Sequence, residues 1–428
     1  MRRKIEQKLL EWKDRERMPL LLFGARQTGK TFTLNDFGER HFTHRVYVNL
    51  ETDIHTAEYF AGNIEPGRLI RYLETLGGVP VIPGETLIIL DEIQSCERAL
   101  TALKYFCEKA PEYHVAAAGS LLGVAINRER YSFPVGKVEN LSLYPLDFEE
   151  FLWALGEDRL AEAIRDAFGS CTPLPAGLHQ KAIDLYRCYL IVGGMPACVS
   201  EFAGHKNTVL VQNIQSNIAD NYVADMAKYA GKSDTVKIRG CFDSIPAQLS
   251  KENKKFQYKV VQRGGSAALF GASIEWLAQA GIALKCQRLG QAVNPIAVYA
   301  DLSSFKLYMS DVGLLTMKSG IALQTILNGD PNVFMGALTE NYIAQALRAN
   351  NHPLYYWESE HTAELDFVLQ QGADIIGVEV KKSFKTHSKS LNQFIQRYKP
   401  AYSIRFSEKN FGKADGILSL PHYAAFCL

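Results

Sequence analysis

The pattern of apolar positions opens with a helical period. Ile5, Leu9 and Trp12 recur three to four residues apart among charged neighbours, which predicts a short helix over residues 3–14. The pattern then changes. Leu20-Leu-Leu-Phe23, after Pro19, is an unbroken apolar run of the kind found in strands buried on both faces, and Arg45-Val-Tyr-Val-Asn-Leu50 predicts a second strand. Two helices are expected next, the second starting after Pro66 and ending at the Gly77-Gly78 pair. Glu85-Thr-Leu-Ile-Ile-Leu-Asp-Glu-Ile-Gln94 brings a third strand, and a helix over residues 97–110 leads to Tyr113-His-Val-Ala-Ala-Ala-Gly-Ser120, a short apolar strand ending in a hydroxyl. Strands alternating with helices predict a parallel α/β sheet.

Beyond residue 133 the alternation loosens. Residues 133–152 read as a strand, a proline turn and a helix capped by Asp147, with Glu150 at the capping-box spacing. An Ala/Leu-rich helical stretch over 155–185 is broken by Gly169-Ser-Cys-Thr-Pro-Leu-Pro-Ala-Gly177, and a further helix covers 213–228. Residues 235–298 run helix, turn, helix and then apolar β-like positions, compatible with a winged helix. A helix from 334 through Arg348 precedes a strand at Tyr355-Tyr-Trp-Glu358. Glu364-Leu-Asp-Phe-Val-Leu-Gln370 and Ile375-Ile-Gly-Val-Glu-Val-Lys381 then flank a Gly-containing turn and predict a hairpin. Pairing symmetric about that turn sets Asp366 opposite Glu379 and Glu364 opposite Lys381. Period two places all four on one face, with Leu365, Phe367, Val378 and Val380 on the core face.

Composition adds limits. With 428 residues, 47% of them hydrophobic, the chain can form two or three domains with real cores. The net charge of +1 decides nothing about nucleic acid. The eight cysteines show no C-x-x-C pair, which argues against zinc and disulfides and for a reducing compartment. Met1-Arg-Arg-Lys4 leads into charged sequence rather than an apolar leader core, and no run reaches membrane-span length, so a cytoplasmic protein without a membrane partner is expected.

The candidate chemistry starts at the end of the first apolar strand. Gly24-Ala-Arg-Gln-Thr-Gly-Lys-Thr31 is a P-loop in its strand–loop–helix setting. Its backbone N–H groups can cradle phosphate, Lys30 can reach the β- and γ-phosphates, and Thr31 can place its hydroxyl on Mg²⁺. Gly24, Ala25, Arg26, Gln27, Thr28, Gly29, Lys30, Thr31 and Phe32 are therefore the expected ATP-binding residues. At the end of the third strand, Asp91 is expected to hold Mg²⁺ through water and Glu92 to orient or deprotonate the attacking water.

The P-loop, Leu90-Asp-Glu-Ile-Gln94, Ala118-Gly-Ser120, Tyr144-Pro-Leu-Asp-Phe-Glu-Glu-Phe151 and Gly193-Gly-Met-Pro196 together resemble the prokaryotic AAA-family ATP-binding proteins that carry a C-terminal domain of unknown function. The resemblance covers nearly the whole chain. It implies an ATPase domain over 1–155, a helical connector over 156–230, a winged-helix-like region over 231–330 and a mixed-sheet, restriction-endonuclease-like domain over 331–428. The strand ending at Ser120 would lie between the P-loop and Asp91 strands, with Ser120 as a γ-phosphate sensor. A departure is Gly136-Lys137, where such proteins commonly show Gly-Arg. Lysine lacks the planar fork of an arginine finger, and Arg128 and Arg130 are the nearby substitutes.

For the last domain the resemblance implies nuclease chemistry: Asp366 and Glu379 sharing Mg²⁺, Lys381 beside the attacking water, and Glu340 completing the metal shell. The same hairpin pattern also suits cross-strand salt bridges on an exposed face. Lys251, Lys254, Lys255, Lys259 and Arg263, with Lys381, Lys382, Lys385, Lys389, Arg397 and Lys399, offer charge to DNA through residues 251–263 and 381–399, or serve solubility. The expected function is Mg²⁺-dependent ATP hydrolysis coupled to a DNA-directed, nuclease-type domain. The alternative is a nucleotide-switched regulatory or binding protein whose nuclease-like domain is inactive. A protein partner and a homo-oligomer both stay open.

Overall fold

The computed structural model describes residues 1–15, 18–120, 134–359, 363–382 and 389–428. These residues form two compact units. The first comprises Met1–Tyr144 with Gln279–Gly281, the second Pro145–Ala278 with Ile282–Leu428.

The first unit is built on a five-stranded, wholly parallel sheet. β1 (Leu20–Phe23), β2 (His44–Asn49), β3 (Thr86–Asp91), β4 (His114–Ala118) and β5 (Glu139–Ser142) lie in the order β2-β3-β4-β1-β5. The P-loop strand is therefore central, and β4 lies between it and β3. Alternation within each strand feeds two cores. Leu21, Ile88, Leu90, Val115 and Ala117 face the helices Pro66–Gly77 and Glu97–Lys109, whereas Leu20, Leu22, Leu87, Ile89 and Ala116 meet Ile5, Leu9, Trp12, Leu34 and Phe37. Each fully buried Leu, Ile or Phe here contributes about 1.5–3 kcal/mol of transfer free energy. Pro66 at the first helical turn and left-handed Gly78 at the C-cap end their helix where the sequence places those signals.

The second unit starts with the helix Phe148–Ala154, whose N-terminus carries the full capping box. Glu150 N–H donates to Asp147 at 2.9 Å and Asp147 N–H to Glu150 at 3.1 Å. The Gly-Gly-Met-Pro motif has a packing role here. Gly193 ends the helix Ala176–Val192, Pro196 starts the helix Pro196–His205, and between them Leu146 N–H donates to the Gly194 carbonyl at 2.7 Å. A Cβ on Gly194 would stand 1.9 Å from the Leu146 carbonyl oxygen, so only glycine fits.

The helices Lys232–Leu249, Tyr258–Val261 and Ala267–Gln279 lead into an antiparallel pair, β6 (Ala283–Leu289) and β7 (Ala300–Met309). β8 (Tyr355–Glu358) and β9 (Glu364–Leu365) extend that sheet to the order β7-β6-β8-β9. A second, mixed sheet holds β10 (Phe367–Gln371), β11 (Asp374–Val380), β12 (Ser403–Ser407), β13 (Gly412–Ala414) and β14 (Ile417–Pro421), ordered β10-β11-β12-β14-β13.

One pairing expectation needs correction. The hairpin register is the symmetric one, Phe367 opposite Val378, but the pairing stops there. The chain bends at Asp366, and Glu364-Leu365 crosses to the other sheet, where Glu364 pairs with Glu358 instead of Lys381. The cause is burial on both sides of the bend: Leu365 packs with Trp357 and Phe394 in one core, while the Phe367 ring lies tilted against Tyr308.

Candidate functional site

Four elements of the first unit converge at the carboxyl end of β1 and β3. Leaving β1, the chain takes φ values only glycine tolerates well, +150° at Gly24 and +93° at Gly29, and a Cβ on Gly24 would lie 2.3 Å from the Leu143 carbonyl oxygen. Lys30 is buried and its ammonium donates to the Gly24 and Ala25 carbonyls at 2.9 and 2.8 Å, while Thr28 Oγ1 donates to Ala25 at 2.9 Å. The helix Lys30–His41 starts here, its N-terminus at the end of the loop. Phe32 is exposed on its first turn.

Thr31 Oγ1 donates to Asp91 Oδ2 at 2.7 Å, which brings the two expected Mg²⁺ ligands together. A hydroxyl and a carboxylate are the hard oxygen donors that Mg²⁺ takes, so these residues fit the ion. Glu92 follows with φ +48°, a left-handed conformation that costs a non-glycine residue about 1–3 kcal/mol and is typical of functional positions. Its Oε2 accepts from Gln94 Nε2 at 2.5 Å and from Ser120 Oγ at 3.3 Å. The structure thus brings Lys30, Thr31, Asp91, Glu92 and Ser120 into one site.

Three contributors escaped the sequence reading. Tyr47 donates its phenol proton to Asp91 Oδ2 at 3.0 Å, and burial together with the Asp91 charge pushes its pKa up to about 12, so it stays a donor. Gln94 secures Glu92. Arg3 is buried and spans the Thr28 carbonyl, at 3.1 Å, and the Tyr144 carbonyl, at 2.7 Å, tying the phosphate loop to the end of the sheet. Lys137 pairs with Glu108 at 3.3 Å. Arg128, Arg130 and Lys385 lie outside the described residues.

In the second unit the expected metal residues divide. Asp366 Oδ2 accepts from Val380 N–H at 2.7 Å, and Glu379, buried, pairs through Oε1 with Lys381 while its Oε2 has no hydrogen-bond partner among the described residues. His422 donates to the Lys381 carbonyl at 2.8 Å and fixes that strand end. Glu340 is not available to a metal. Its Oε2 takes Lys254, and its Oε1 takes Lys306 at 3.1 Å and the Tyr308 hydroxyl at 2.5 Å. Burial disfavours the Glu340 carboxylate, but Lys254 and Lys306 outweigh it and hold its pKa below the usual range. Asp366 moves the other way: burial and the Glu340 charge push it up against Lys306. Among the described residues no three or more His, Cys, Asp or Glu side chains are grouped to hold a metal ion. The three-carboxylate Mg²⁺ shell therefore does not fit.

The basic residues of 251–263 are partly consumed as well. Lys251 donates to Gln257 at 3.3 Å and Lys254 is held by Glu340. The helix Ala267–Gln279 exposes Ala268, Ala272 and Glu275 rather than lysine or arginine.

Comparison with known proteins adds the class. Residues 16–152 match the family model described as an AAA domain, residues 183–325 a domain of unknown function (DUF8612) and residues 335–423 another domain of unknown function (DUF4143). The first unit is thus an AAA-type P-loop domain. The C-terminal match, residues 335–423, is to a domain of unknown function.

Curated relatives include uncharacterized proteins of Mycobacterium tuberculosis and Mycobacterium bovis, each 34% identical over 80 residues, which is 18% of this chain and 18% of theirs. Among solved structures, a Walker-type ATPase of Pyrococcus abyssi gives a TM-score of 0.46 at 12% identity, covering 74% of this chain and 95% of its own. The Aeropyrum pernix ORC1 protein, solved in complex with DNA, gives 0.31 at 13% identity over 76% and 91%. AMPPCP-bound DnaA from Aquifex aeolicus gives 0.27 at 13% identity over 64% and 86%. Among the described residues no helix is long and apolar enough to cross a membrane.

Proposed function

We propose that the protein binds and hydrolyses ATP with Mg²⁺ and works as a nucleotide-driven switch whose second unit binds a partner rather than cutting nucleic acid. The observation that carries this reading is the convergence of Lys30, Thr31, Asp91, Glu92 and Ser120 at the carboxyl end of one sheet. Thr31 and Asp91 would hold Mg²⁺, which supplies charge neutralisation on the β- and γ-phosphates. Lys30 adds an ammonium to the same phosphates, and the loop N–H groups position them. Glu92, held by Gln94 and Ser120, orients the attacking water and takes its proton. Ser120, bonded to Glu92, would sense the γ-phosphate and pass that information to Glu92. All eight cysteines are free thiols, which supports a reducing, cytoplasmic setting.

Against nuclease activity stands Glu340, whose carboxylate is already satisfied by two lysines and a tyrosine. A second reading, DNA docking, draws on the exposed Lys259, Arg263, Lys389, Arg397 and Lys399. It predicts an affinity that falls steeply with salt.

The test combines phosphate release from Mg-ATP with cleavage of supercoiled plasmid in Mg²⁺ or Mn²⁺, for wild type, Lys30→Ala and Asp366→Ala. Phosphate release lost in Lys30→Ala and retained in Asp366→Ala, without plasmid cleavage by any of them, is the expected result. Plasmid cleavage by wild type that disappears in Asp366→Ala would refute the binding role of the second unit.

A further inference from the structure

The first unit takes in three residues from far along the chain. Gln279, Ala280 and Gly281 belong to it, whereas Ala278 before them and Ile282 after them belong to the second unit. The helix Ala267–Gln279 ends in a left-handed glycine, Gly281 at φ +71°, and Ile282 N–H closes that end by donating to the Leu277 carbonyl at 3.0 Å. A close neighbour asks for glycine as well. A Cβ at position 281 would stand 3.2 Å from the Ala25 nitrogen and 3.6 Å from the Ala25 Cα and Cβ, the first tighter than an ordinary van der Waals contact. Ala280 and Ala25 are both buried. Gly281 thus packs against the phosphate loop from outside the loop's own sequence.

Ala25 is the residue on which that loop closes. Its carbonyl accepts from the Lys30 ammonium at 2.8 Å and from the Thr28 hydroxyl at 2.9 Å, and Lys30 also donates to Gly24 at 2.9 Å. To reach the β- and γ-phosphates, Lys30 has to exchange these loop carbonyls for phosphate oxygens. A shift of Ala25 therefore moves the point from which Lys30 starts. We propose that Gly281 is a positioning residue for the phosphate loop: it sets the place of Ala25 and, through Ala25, the rest position of Lys30. This role rests on the ATP reading above and adds a means of regulation to it. Linkage makes the effect reciprocal, so filling the loop tightens the chain at Gly281 and at Ile282, which follows it directly. The bland alternative is a glycine that only ends a helix. Gly78 separates the two, since it ends the helix Pro66–Gly77 of the same unit at φ +63° and a Cβ there would meet no atom of the described residues within 4 Å.

The experiment is calorimetric titration of the full chain with Mg-ATP, for wild type, Gly281→Ala, Gly281→Asn and Gly78→Ala. Asparagine brings a Cβ but tolerates the left-handed conformation, so Gly281→Asn carries the test if Gly281→Ala does not fold by circular dichroism. Displacing the loop by a fraction of an ångström should weaken binding about tenfold in both Gly281 variants, with Gly78→Ala within about twofold of wild type. A second measurement needs no variant: hydrogen exchange of the Ile282 amide in wild type should slow when Mg-ATP is added. Wild-type affinity in a folded Gly281 variant, an equal loss in Gly78→Ala, or exchange at Ile282 indifferent to Mg-ATP would each overturn the positioning role. Wild type that takes up no Mg-ATP would refute the ATP reading instead, and the positioning role would fall with it.

Discussion

Acidic side chains gather in both units, and their surroundings could hardly differ more. In the first unit Asp91 and Glu92 meet neutral donors: the hydroxyls of Thr31 and Tyr47, the amide of Gln94 and the hydroxyl of Ser120. Such donors orient a carboxylate without cancelling its charge, which is left for a metal ion and for water activation. In the second unit Glu340, Glu364 and Glu379 meet ammonium groups, from Lys254, Lys306 and Lys381. Those acids are already neutralised and serve cohesion. The lesson is that carboxylates acquire chemistry through the charge their neighbours leave uncancelled.

The strongest way to break this contrast is to remove the internal cation. Lys306→Ala leaves Glu340 and Glu364 without the ammonium they share, and we expect a loss of about 3–5 kcal/mol in urea unfolding. A smaller effect comes from Asp311, a buried acid with backbone N–H partners, Gly194 at 2.6 Å and Leu314 at 3.0 Å, and pushed by burial up to about 6. Because that value lies above the ordinary 3.8, its contribution to stability is fully present below pH 3.8 and is lost as the pH rises through about 6. Unfolding of wild type and Asp311→Asn at pH 4 and pH 7 should shift their difference by about 2–3 kcal/mol in favour of the variant at the higher pH.

Arg3→Ala removes two charge-assisted bonds to backbone carbonyls. It should weaken ATP binding by about 1.5–3 kcal/mol in calorimetry, with the fold retained. The smallest change is Tyr47→Phe, which deletes one bond to Asp91 and should raise the Mg²⁺ concentration needed for half-maximal phosphate release by about fivefold, near 1 kcal/mol.

Much of the first unit was legible because its signals are local. Apolar runs gave the strands, Pro66 and Gly78 bounded a helix, and the P-loop and Asp91-Glu92 lie where their strands deliver them. Arg3 was not legible, since its role depends on reaching the Thr28 and Tyr144 carbonyls across a folded structure. In the second unit the hairpin register was readable from its turn, but the bend at Asp366 was not, because it comes from two cores drawing Leu365 and Phe367 apart. Lys306 was the hardest to see. In an alternating strand a lysine reads as solvent-facing, and only the helix Met335–Ala349 and the Glu364 strand turn that face into an interior.

The most direct test of the contrast is steady-state phosphate release from Mg-ATP by Glu92→Gln and Asp366→Asn, measured beside wild type with ATP affinity checked for each. Glu92→Gln should keep its affinity and lose about 100-fold or more in kcat, and Asp366→Asn should stay within about twofold of wild type. Unchanged turnover in Glu92→Gln, or its collapse in Asp366→Asn, would contradict the division of roles between the two sets of acids.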